Sequence, residues 1–394
     1  MAEIEAVDLY YLSLPKVEAI ADNSQDSLLI RIVSGDDIGW GECDAAPLAS
    51  IASFYGPMSH SACRPVRDSV LGEKLDGIED IARIGALVRA NSLDLLQADH
   101  TLAGIDMALW DLLGRRLGEP IWRLLGHKRA LPKLAYASQL FGDDPDQTLA
   151  KGRAMRDAGY RAVKFGWGPF GKGSVETDAE HLRAARSGIG DDGTLLIDAG
   201  TIWVDDVNAA AARLPTLKEV KATWLEEPFV SGALAEYQRL AGFADRVGLA
   251  GGEGAHNFHM ARHMIDHAAL QYVQIDAGRM GISEARRVAL YAQSRRVRFV
   301  NHTFNSHIAL SASLQPFAGD ARSTLCEYPV EAKAVAREIT RDPIARDADG
   351  MVTAPDAPGL GVDIDPRAIN RYLKDIDIRI DGRTIYRSPG VPQR

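Results

Sequence analysis

The stretch TLLIDAGTIWVDDVNAAAARLPTLKEVKATWLEEPF (194–229) contains two short apolar runs, TLLID and ATWLEE, separated by enough residues for one helix and two loops. Each run has the length of a strand. Each ends in carboxylates, Asp198 in the first and Glu226 with Glu227 in the second. An apolar strand, a helix and a second apolar strand are typical of a parallel α/β fold. The stretch therefore predicts neighbouring parallel strands that bring acidic side chains to one edge.

The same alternation continues on both sides of this stretch. The strand candidates are KLAYASQ (133–139), RAVKF (161–165), TLLID (194–198), ATWLEE (222–227), VGLAGGE (247–253), QYVQID (271–276), VRFVNH (297–302) and TLCEY (324–328). Strand and helix alternating eight times predict an α/β fold of the (β/α)8 type, a modified TIM barrel. The alternative is an open doubly wound sheet, which often has a glycine-rich phosphate loop after its first strand. No such loop is found here, so the barrel is favoured.

The two ends of the chain do not follow this repeat. The first part alternates short β-branched or aromatic runs and then becomes helical from about Ile78 to Leu125. This pattern predicts a separate N-terminal α+β capping domain over residues 1–130, followed by the barrel over residues 131–354. Residues 355–394 leave the repeat, and we expect this C-terminal segment to pack back on the capping domain and complete it.

Composition narrows the classes of partner. The chain has 394 residues, of which 46% are hydrophobic and 25% charged, and a formal net charge of -9. No Lys/Arg run or interleaved aromatic stripe indicates a nucleic-acid surface. The three cysteines are odd in number and widely spaced, which indicates neither a disulfide framework nor a zinc module. No charged leader or membrane-length apolar stretch is found. We expect a soluble cytoplasmic homo-oligomer with a small-molecule substrate and no nucleic-acid or membrane partner.

Titratable residues end seven of the eight strand candidates. They are Lys164, Asp198, Glu226 with Glu227, Glu253, Asp276, His302 and Glu327. In a (β/α)8 barrel the carboxyl ends of the strands converge on one mouth, where the chemistry takes place. Any one of these residues alone would be read as a solvated surface charge. Together they predict an active site.

Three of these carboxylates, Asp198, Glu226 and Glu253, come from consecutive strands. They are hard oxygen ligands that repel one another unless a cation lies between them. Such a donor set suits Mg²⁺ better than Zn²⁺, which usually recruits His or Cys. Successive side chains of a strand point to opposite faces, so only one of Glu226 and Glu227 can face the mouth. If that residue is Glu226, then Glu227 faces away, toward a cation behind the ligands. Alternation alone leaves the choice between them open.

The sequence resembles a known family, the enolase superfamily, and within it the mandelate racemase and acid-sugar dehydratase branch. The motifs that carry the resemblance span nearly the whole chain. They are GWGEC (39–43), LAGIDMALWDLLGRRLGEPIWRLLG (102–126), AVKFG (162–166), LLIDAG (195–200), TWLEEPF (223–229), GGEG (251–254), QIDAGRMGIS (274–283), NH (301–302) and PGLGVDI (358–364). Each motif is weak alone, but their order makes a specific signal.

The resemblance assigns roles to the strand ends. It implies Asp198, Glu226 and Glu253 as magnesium ligands, so that the first glutamate of the pair is the ligand. It implies Asp276 and His302 as a hydrogen-bonded catalytic dyad, Glu327 as a substrate-binding group, and Lys164 on the opposite side of the site as a substrate-binding and catalytic residue. A histidine base with magnesium removes the proton beside a carboxylate in this superfamily. His302 is then the expected base, and Asp276 holds its tautomer.

Two departures from the family pattern bear on the reaction. Family members often read Lys-x-Lys where this chain reads Lys164, Phe165, Gly166, so the second base is missing. Gly200 stands where Asn or His is often found, which predicts extra room for substrate. One base is enough for a dehydratase, because it takes the α-proton and returns it to the departing β-hydroxyl. These features predict dehydration of a sugar acid, an aldonate or aldarate, to a 2-keto-3-deoxy acid.

Other functions stay open. The same site could open a sugar-acid lactone as a cycloisomerase, or act as a racemase or epimerase through Lys164. A non-catalytic sugar-acid binding protein is the alternative outside the enzymes. It is disfavoured because a binding protein gains nothing from the dyad of Asp276 and His302.

Two small-residue-rich segments of the capping domain, residues 17–24 and 44–56, are predicted to close over the mouth. Their neutral polar side chains suit a polyhydroxylated acid. The residues concerned are Asn23, Ser50, Ser53 and Tyr55.

Overall fold

The computed structural model describes residues 2–44 and 46–392 of the chain. The N-terminal part contains a three-stranded antiparallel sheet in the order β1-β2-β3 and four helices. The strands are β1 (Ala6–Ser13), β2 (Asp26–Ser34) and β3 (Asp37–Cys43), and the helices are α1 (Pro47–Tyr55), α2 (Ile78–Asn91), α3 (Ala98–Leu117) and α4 (Ile121–Leu124). This is the α+β cap that the sequence predicts.

A parallel sheet follows and forms the barrel. Its strands are β4 (Lys133–Leu140), β5 (Ala162–Gly166), β6 (Thr194–Asp198), β7 (Ala222–Glu226), β8 (Gly248–Gly251), β9 (Tyr272–Asp276), β10 (Arg298–His302) and β11 (Leu325–Pro329). The order β10-β9-β8-β7-β6-β5-β4-β11 carries the sheet round until β11 lies between β4 and β10. All eight strand candidates are therefore confirmed, although β8 ends two residues before Glu253.

The barrel helices lie between these strands. They are α5 (Pro145–Asp157), α6 (Val175–Ile189), α7 (Val207–Ala211), α8 (Leu214–Glu219), α9 (Leu234–Ala244), α10 (Phe258–His267), α11 (Ala277–Arg295) and α12 (His307–Leu314). After β11 come α13 (Ala334–Glu338), β12 (Met351–Val352), α14 (Pro366–Tyr372), β13 (Asp377–Ile380) and β14 (Arg383–Arg387). No helix in residues 2–44 and 46–392 is long and apolar enough to cross a membrane.

Side chains along the barrel strands alternate between two environments. Seven strands each place one residue in a shared interior cluster, namely Tyr136, Ala162, Leu196, Trp224, Ala250, Tyr272 and Val300. Intervening residues such as Leu195 and Ile197 pack instead with helical residues such as Leu182. Because alternate side chains share a face, residues two or four positions after an interior one also face inward, nearer the carboxyl ends. The predicted site residues placed in this way are Lys164, Asp198, Glu226, Asp276 and His302.

The cap is held together by very close packing of α3 on β3. A Cβ added at Gly41 would lie 2.0 Å from the carbonyl oxygen of Gly104, and one added at Gly39 would lie 2.1 Å from that of Ala108. Both glycines belong to the GWGEC motif. The two glycines allow the backbone of α3 to approach β3 closely. On the same helix, Trp110 donates a hydrogen bond of 2.9 Å to Ser283 of α11 and so joins the cap to the barrel.

We expect Gly41→Ala to lower the free energy of unfolding by about 1–3 kcal/mol or more, because the added methyl group overpacks this contact. Thermal unfolding followed by circular dichroism would measure the loss. Gly242→Ala is the matched control, since a Cβ there meets nothing within 4 Å in helix α9. Equal melting temperatures for the two variants would contradict this account of the packing.

The C-terminal segment contacts the cap. The Tyr386 hydroxyl donates a hydrogen bond of 2.7 Å to the Leu9 carbonyl in β1, and the Lys374 amide donates one of 2.8 Å to that of Tyr11. The cap is thus completed by the end of the chain. The domain boundaries at residues 130 and 354 stay a prediction.

Candidate active site

A cavity of about 240 Å³ opens at the carboxyl ends of the barrel strands. It is lined by Ala21, Asn23, Ser138, Gln139, Leu140, Lys164, Gly166, Trp167, Asp198, Glu253, Arg279, His302 and Phe304. Four of the seven predicted site residues lie in this lining. The other three, Glu226, Asp276 and Glu327, are buried and contact side chains that line it.

Lys164 lies among three carboxylates. Its Nζ is 2.7 Å from Glu226 Oε1, 2.8 Å from Glu327 Oε1 and 3.4 Å from Asp198 Oδ2. Burial alone would lower the pKa of Lys164, but the charges of Glu226 and Glu327 outweigh it and raise that pKa well above its usual value. Lys164 is therefore a fixed positive charge at the cavity wall.

His302 lies between two further carboxylates. Its Nδ1 is 2.6 Å from Asp276 Oδ2, and its Nε2 is 2.8 Å from Glu253 Oε2. Asp276 and His302 face each other in register as the last residues of β9 and β10. Burial would lower the pKa of His302, but Glu253, Glu327 and Asp276 together raise it well above its usual value. The contact with Asp276 fixes the ring orientation, so Nε2 is the nitrogen that could transfer a proton, once its pairing with Glu253 is released.

Asp198, Glu226 and Glu253 provide only oxygen donors. Asp198 and Glu226 are paired in register at the ends of β6 and β7, and Glu253 follows β8. In this structure Lys164 pairs with the first two and His302 with the third. Within the described ranges, no three His, Cys, Asp or Glu side chains are already arranged around a common cation position.

The charges in the site nevertheless fit a hard divalent cation. Burial raises the pKa of Asp198 and of Glu226, and repulsion between neighbouring carboxylates adds to this effect. Buried negative charge is therefore in excess of what Lys164 offsets. A cation with a preference for oxygen ligands would offset the remainder.

Unlike Glu226 and Glu253, Glu227 has no cationic side chain within ion-pair distance in the described part of the chain. Burial, followed by repulsion from Glu253 and Asp198, raises its pKa to about 8. Its Oε1 atom is buried without a hydrogen-bond partner, and no ion pair to its side chain is found in the described part of the chain. The charges of Arg279 and His302 partly offset this rise without an ion pair to Glu227, so a cation that meets Glu227 behind the ligands stays a prediction. Its backbone has φ 39°, because the chain turns out of β7 at this residue.

Asp198 packs closely against Gly166, where relatives often have the second lysine. A Cβ at this position would lie 2.8 Å from Asp198 Cβ and 2.9 Å from Asp198 Oδ2. Any side chain at residue 166 would therefore displace Asp198. With Asp198 where it is, β5 offers Lys164 alone to the site.

The extra room expected at Gly200 is not found. Gly200 has φ +55°, and a Cβ there would lie 2.4 Å from Cε2 of the Trp167 indole. The tryptophan ring thus occupies the space that a side chain at residue 200 would take. Trp167 was not among the residues predicted from the sequence. Its position directly after β5, whose last residues are KFG, is the one sequence feature that could have indicated a place at the mouth of the barrel.

Arg279 is a second cavity-lining residue that was not among the residues predicted from the sequence. Its Nε is 2.6 Å from Asp44 Oδ2 in the cap, and its Nη1 is 3.5 Å from Glu253 Oε1. Burial would lower the pKa of Arg279, but Asp44, Glu253 and Asp276 raise it. Arg279 belongs to the motif QIDAGRMGIS and Asp44 directly follows GWGEC, but neither residue is a barrel strand end.

The two cap segments differ in their contribution. Ala21 and Asn23 of the first line the cavity, and Asn23 Nδ2 donates a hydrogen bond of 3.1 Å to Asp44. Most of the second forms α1, where Ser50 and Ser53 are buried and the Tyr55 hydroxyl bonds the Val7 carbonyl at 3.2 Å. The expectation that these three close over the mouth is wrong, because they pack inside the cap. Ala45 of this segment lies outside the described residues.

Comparison with known proteins gives a consistent picture. The family model described as mandelate racemase / muconate lactonizing enzyme, N-terminal domain, matches residues 13–126. The model described as enolase C-terminal domain-like matches residues 147–368.

Individual proteins match over most of their length. A crystal structure of a predicted mandelate racemase from Rhodobacter sphaeroides is 57% identical, covers 99% of this chain and 100% of that chain, and has a TM-score of 0.95. D-galactarolactone cycloisomerase from Agrobacterium fabrum is 28% identical, with 88% of this chain and 90% of that protein covered. D-galactonate dehydratase from Variovorax paradoxus is 27% identical, with 87% and 90% covered.

Proposed function

The chain belongs to the mandelate racemase / muconate lactonizing enzyme branch of the enolase superfamily, and from this membership and its site we propose that it dehydrates a sugar acid to a 2-keto-3-deoxy acid. The substrate would be an aldonate or aldarate. The observation that carries the proposal is the pairing of one catalytic base, His302, with a glycine at residue 166. A site with a base on one side only favours elimination over racemisation.

We propose Mg²⁺ as the cofactor, held by Asp198, Glu226 and Glu253. When bound, it would supply the positive charge that stabilises the enediolate dianion formed from the substrate carboxylate. Lys164 would bind the same carboxylate as a second fixed cation. Glu327 would support it by holding Lys164 in place through their contact of 2.8 Å.

His302 would carry both proton transfers. Nε2 is paired with Glu253 in this structure, and it would be free to take the α-proton when Glu253 turns to the cation. Asp276 would then stabilise the imidazolium that results, as a carboxylate does beside a catalytic histidine. The imidazolium then returns the proton to the β-hydroxyl as the carbon–oxygen bond breaks, so that water leaves and His302 is neutral again. The enol that remains becomes the 2-keto acid. A single acid–base group thus serves first as the general base and then as the general acid of the elimination.

Product analysis tests this reaction directly. Incubation with magnesium and a panel of aldonates and aldarates in deuterated water is expected to give a 2-keto product lighter than its substrate by one water, before deuterium incorporation is counted. Chelation should abolish turnover, and added magnesium should restore it. NMR and mass spectrometry of both product and recovered substrate provide the measurement. A sole product of unchanged elemental composition would refute dehydration.

A lactone cycloisomerase is the second candidate, favoured by the similarity to D-galactarolactone cycloisomerase. Opening a lactone by β-elimination also needs only one base. The carboxylate oxygen then takes the place of the leaving hydroxyl. The same experiment with sugar-acid lactones separates the two, since this reaction gives an isomer of its substrate.

A further inference from the structure

Trp167 differs from the other tryptophans of the chain. The remaining five are buried, with exposed fractions of 9% for Trp40, 3% for Trp110, 3% for Trp122, 6% for Trp203 and 0% for Trp224. Trp167 is 41% exposed and belongs to the lining of the candidate active-site cavity. An indole exposed to a polar cavity is costly to solvate, which suggests that its face is covered when the cavity is filled.

The ring is held in place by the backbone around it. It packs directly against Gly200, where three indole atoms lie within 2.8 Å of the position that a Cβ would take. Trp167 itself has φ 54°, a left-handed conformation that bulky residues rarely adopt. Gly200, with φ 55°, adopts a conformation that is ordinary for glycine, whereas the conformation of Trp167 is unusual and of a kind that concentrates at functional sites.

The cavity has a polar and an apolar side. Lys164, His302 and Arg279 supply charge, whereas Trp167, Leu140 and Phe304 supply apolar surface. Trp167 follows β5, which is separated from the His302 strand by β4 and β11. The indole thus faces the mouth from a different wall than the base.

We propose that Trp167 is the specificity-determining residue of the site, and that its indole packs against the carbon chain of the sugar acid beyond C2. This inference rests on the proposed function. A sugar acid presents hydroxyl groups on some faces and C–H groups on others, and aromatic rings provide large apolar contact areas with a defined geometry. Trp167 thereby selects acids with an extended carbon chain, while Lys164 and the proposed cation hold the carboxylate that all α-hydroxy acids share.

Binding measurements on variants of full-length protein test this role. Isothermal titration calorimetry with magnesium would be done in the His302→Asn background, so that binding is measured without turnover. The ligands are D-galactonate, D-gluconate, arabinonate and galactarate, with glycolate as the short acid that lacks a carbon chain beyond C2. Trp167→Ala is expected to weaken binding of the sugar acids by about 5- to 10-fold and to leave glycolate binding unchanged.

Two further variants sharpen the result. Trp167→Phe keeps an aromatic face and should retain most of the affinity for sugar acids. Phe243→Ala removes an aromatic ring of 59% exposure on α9, outside the cavity lining, and should change nothing. The role of Trp167 would be overturned if Trp167→Ala and its parent bound the sugar acids with equal affinity. It would also be overturned if Trp167→Ala weakened binding of glycolate as much as binding of the sugar acids. Neither result would contradict the proposed function. If no sugar acid binds the parent, the proposed function fails and this inference fails with it.

Discussion

His302→Asn is expected to lower turnover by about 10²- to 10⁴-fold, the usual contribution of a general base, while substrate and metal binding persist. The reason is the geometry of the ring: Nδ1 is 2.6 Å from Asp276 Oδ2, and Nε2 is 2.8 Å from Oε2 of the cavity-lining Glu253. Asparagine keeps a polar side chain of similar reach but cannot accept and return a proton near neutral pH. Steady-state kinetics and calorimetry with the active sugar acid would separate loss of chemistry from loss of binding.

His259→Asn is the matched control for this variant. His259 lies at the exposed face of α10, away from the cavity, and makes no contact with the predicted site residues. Its substitution should leave turnover unchanged. Near-normal turnover in His302→Asn would mean that the pair of His302 and Asp276 does not supply the base, and Lys164 would become the candidate.

Glu226→Gln is expected to weaken magnesium binding far more than Glu227→Gln. Loss of a group that only supports a metal ligand typically costs about 10- to 100-fold in affinity, and loss of a ligand itself should exceed this. Glu226 shares the inward-facing layer with Asp198, its partner in register. Glu227 comes after the end of β7, where the backbone turns, and its side chain has no ion pair with any residue that the structure describes. Calorimetric titration with Mg²⁺ provides the comparison.

The two variants control for one another, because each replaces a buried carboxyl group with an amide of similar size at adjacent residues. An unspecific effect of losing a buried carboxyl group would affect both alike. Equal losses of magnesium affinity in the two variants would therefore contradict the assignment of Glu226, rather than Glu227, as the magnesium ligand.

Much of the fold could be predicted from the sequence because strand and helix patterns are local. Each apolar run of the barrel coincides with an observed strand, and alternation along β7 follows from Trp224 in the interior cluster. The convergence of the strand ends was predictable for the same reason, since the topology of a barrel brings them together. The pairing of Asp276 with His302 could then be expected from the positions of both residues at such ends.

The parts that were missed depend on contacts between distant residues. Trp167 and Gly200 belong to different loops, and nothing in either loop alone shows that the ring fills the space above the glycine. The segment 44–56 was predicted to close the mouth from its small residues, but Pro47–Tyr55 form a helix that buries them in the cap. Composition describes such a segment without fixing the surface against which it packs.

The contact between Arg279 and Asp44 has a consequence for the modularity of this enzyme. Arg279 belongs to the barrel and touches both the cap carboxylate and the proposed ligand Glu253. Exchanging the cap for that of a relative lacking an acid at this position would leave a buried guanidinium with Glu253 as its remaining carboxylate partner. Domain shuffling would thus alter the charge balance of the candidate site as well as the shape of the cavity, so the ion pair of Arg279 and Asp44 is one of the contacts through which each domain constrains the other.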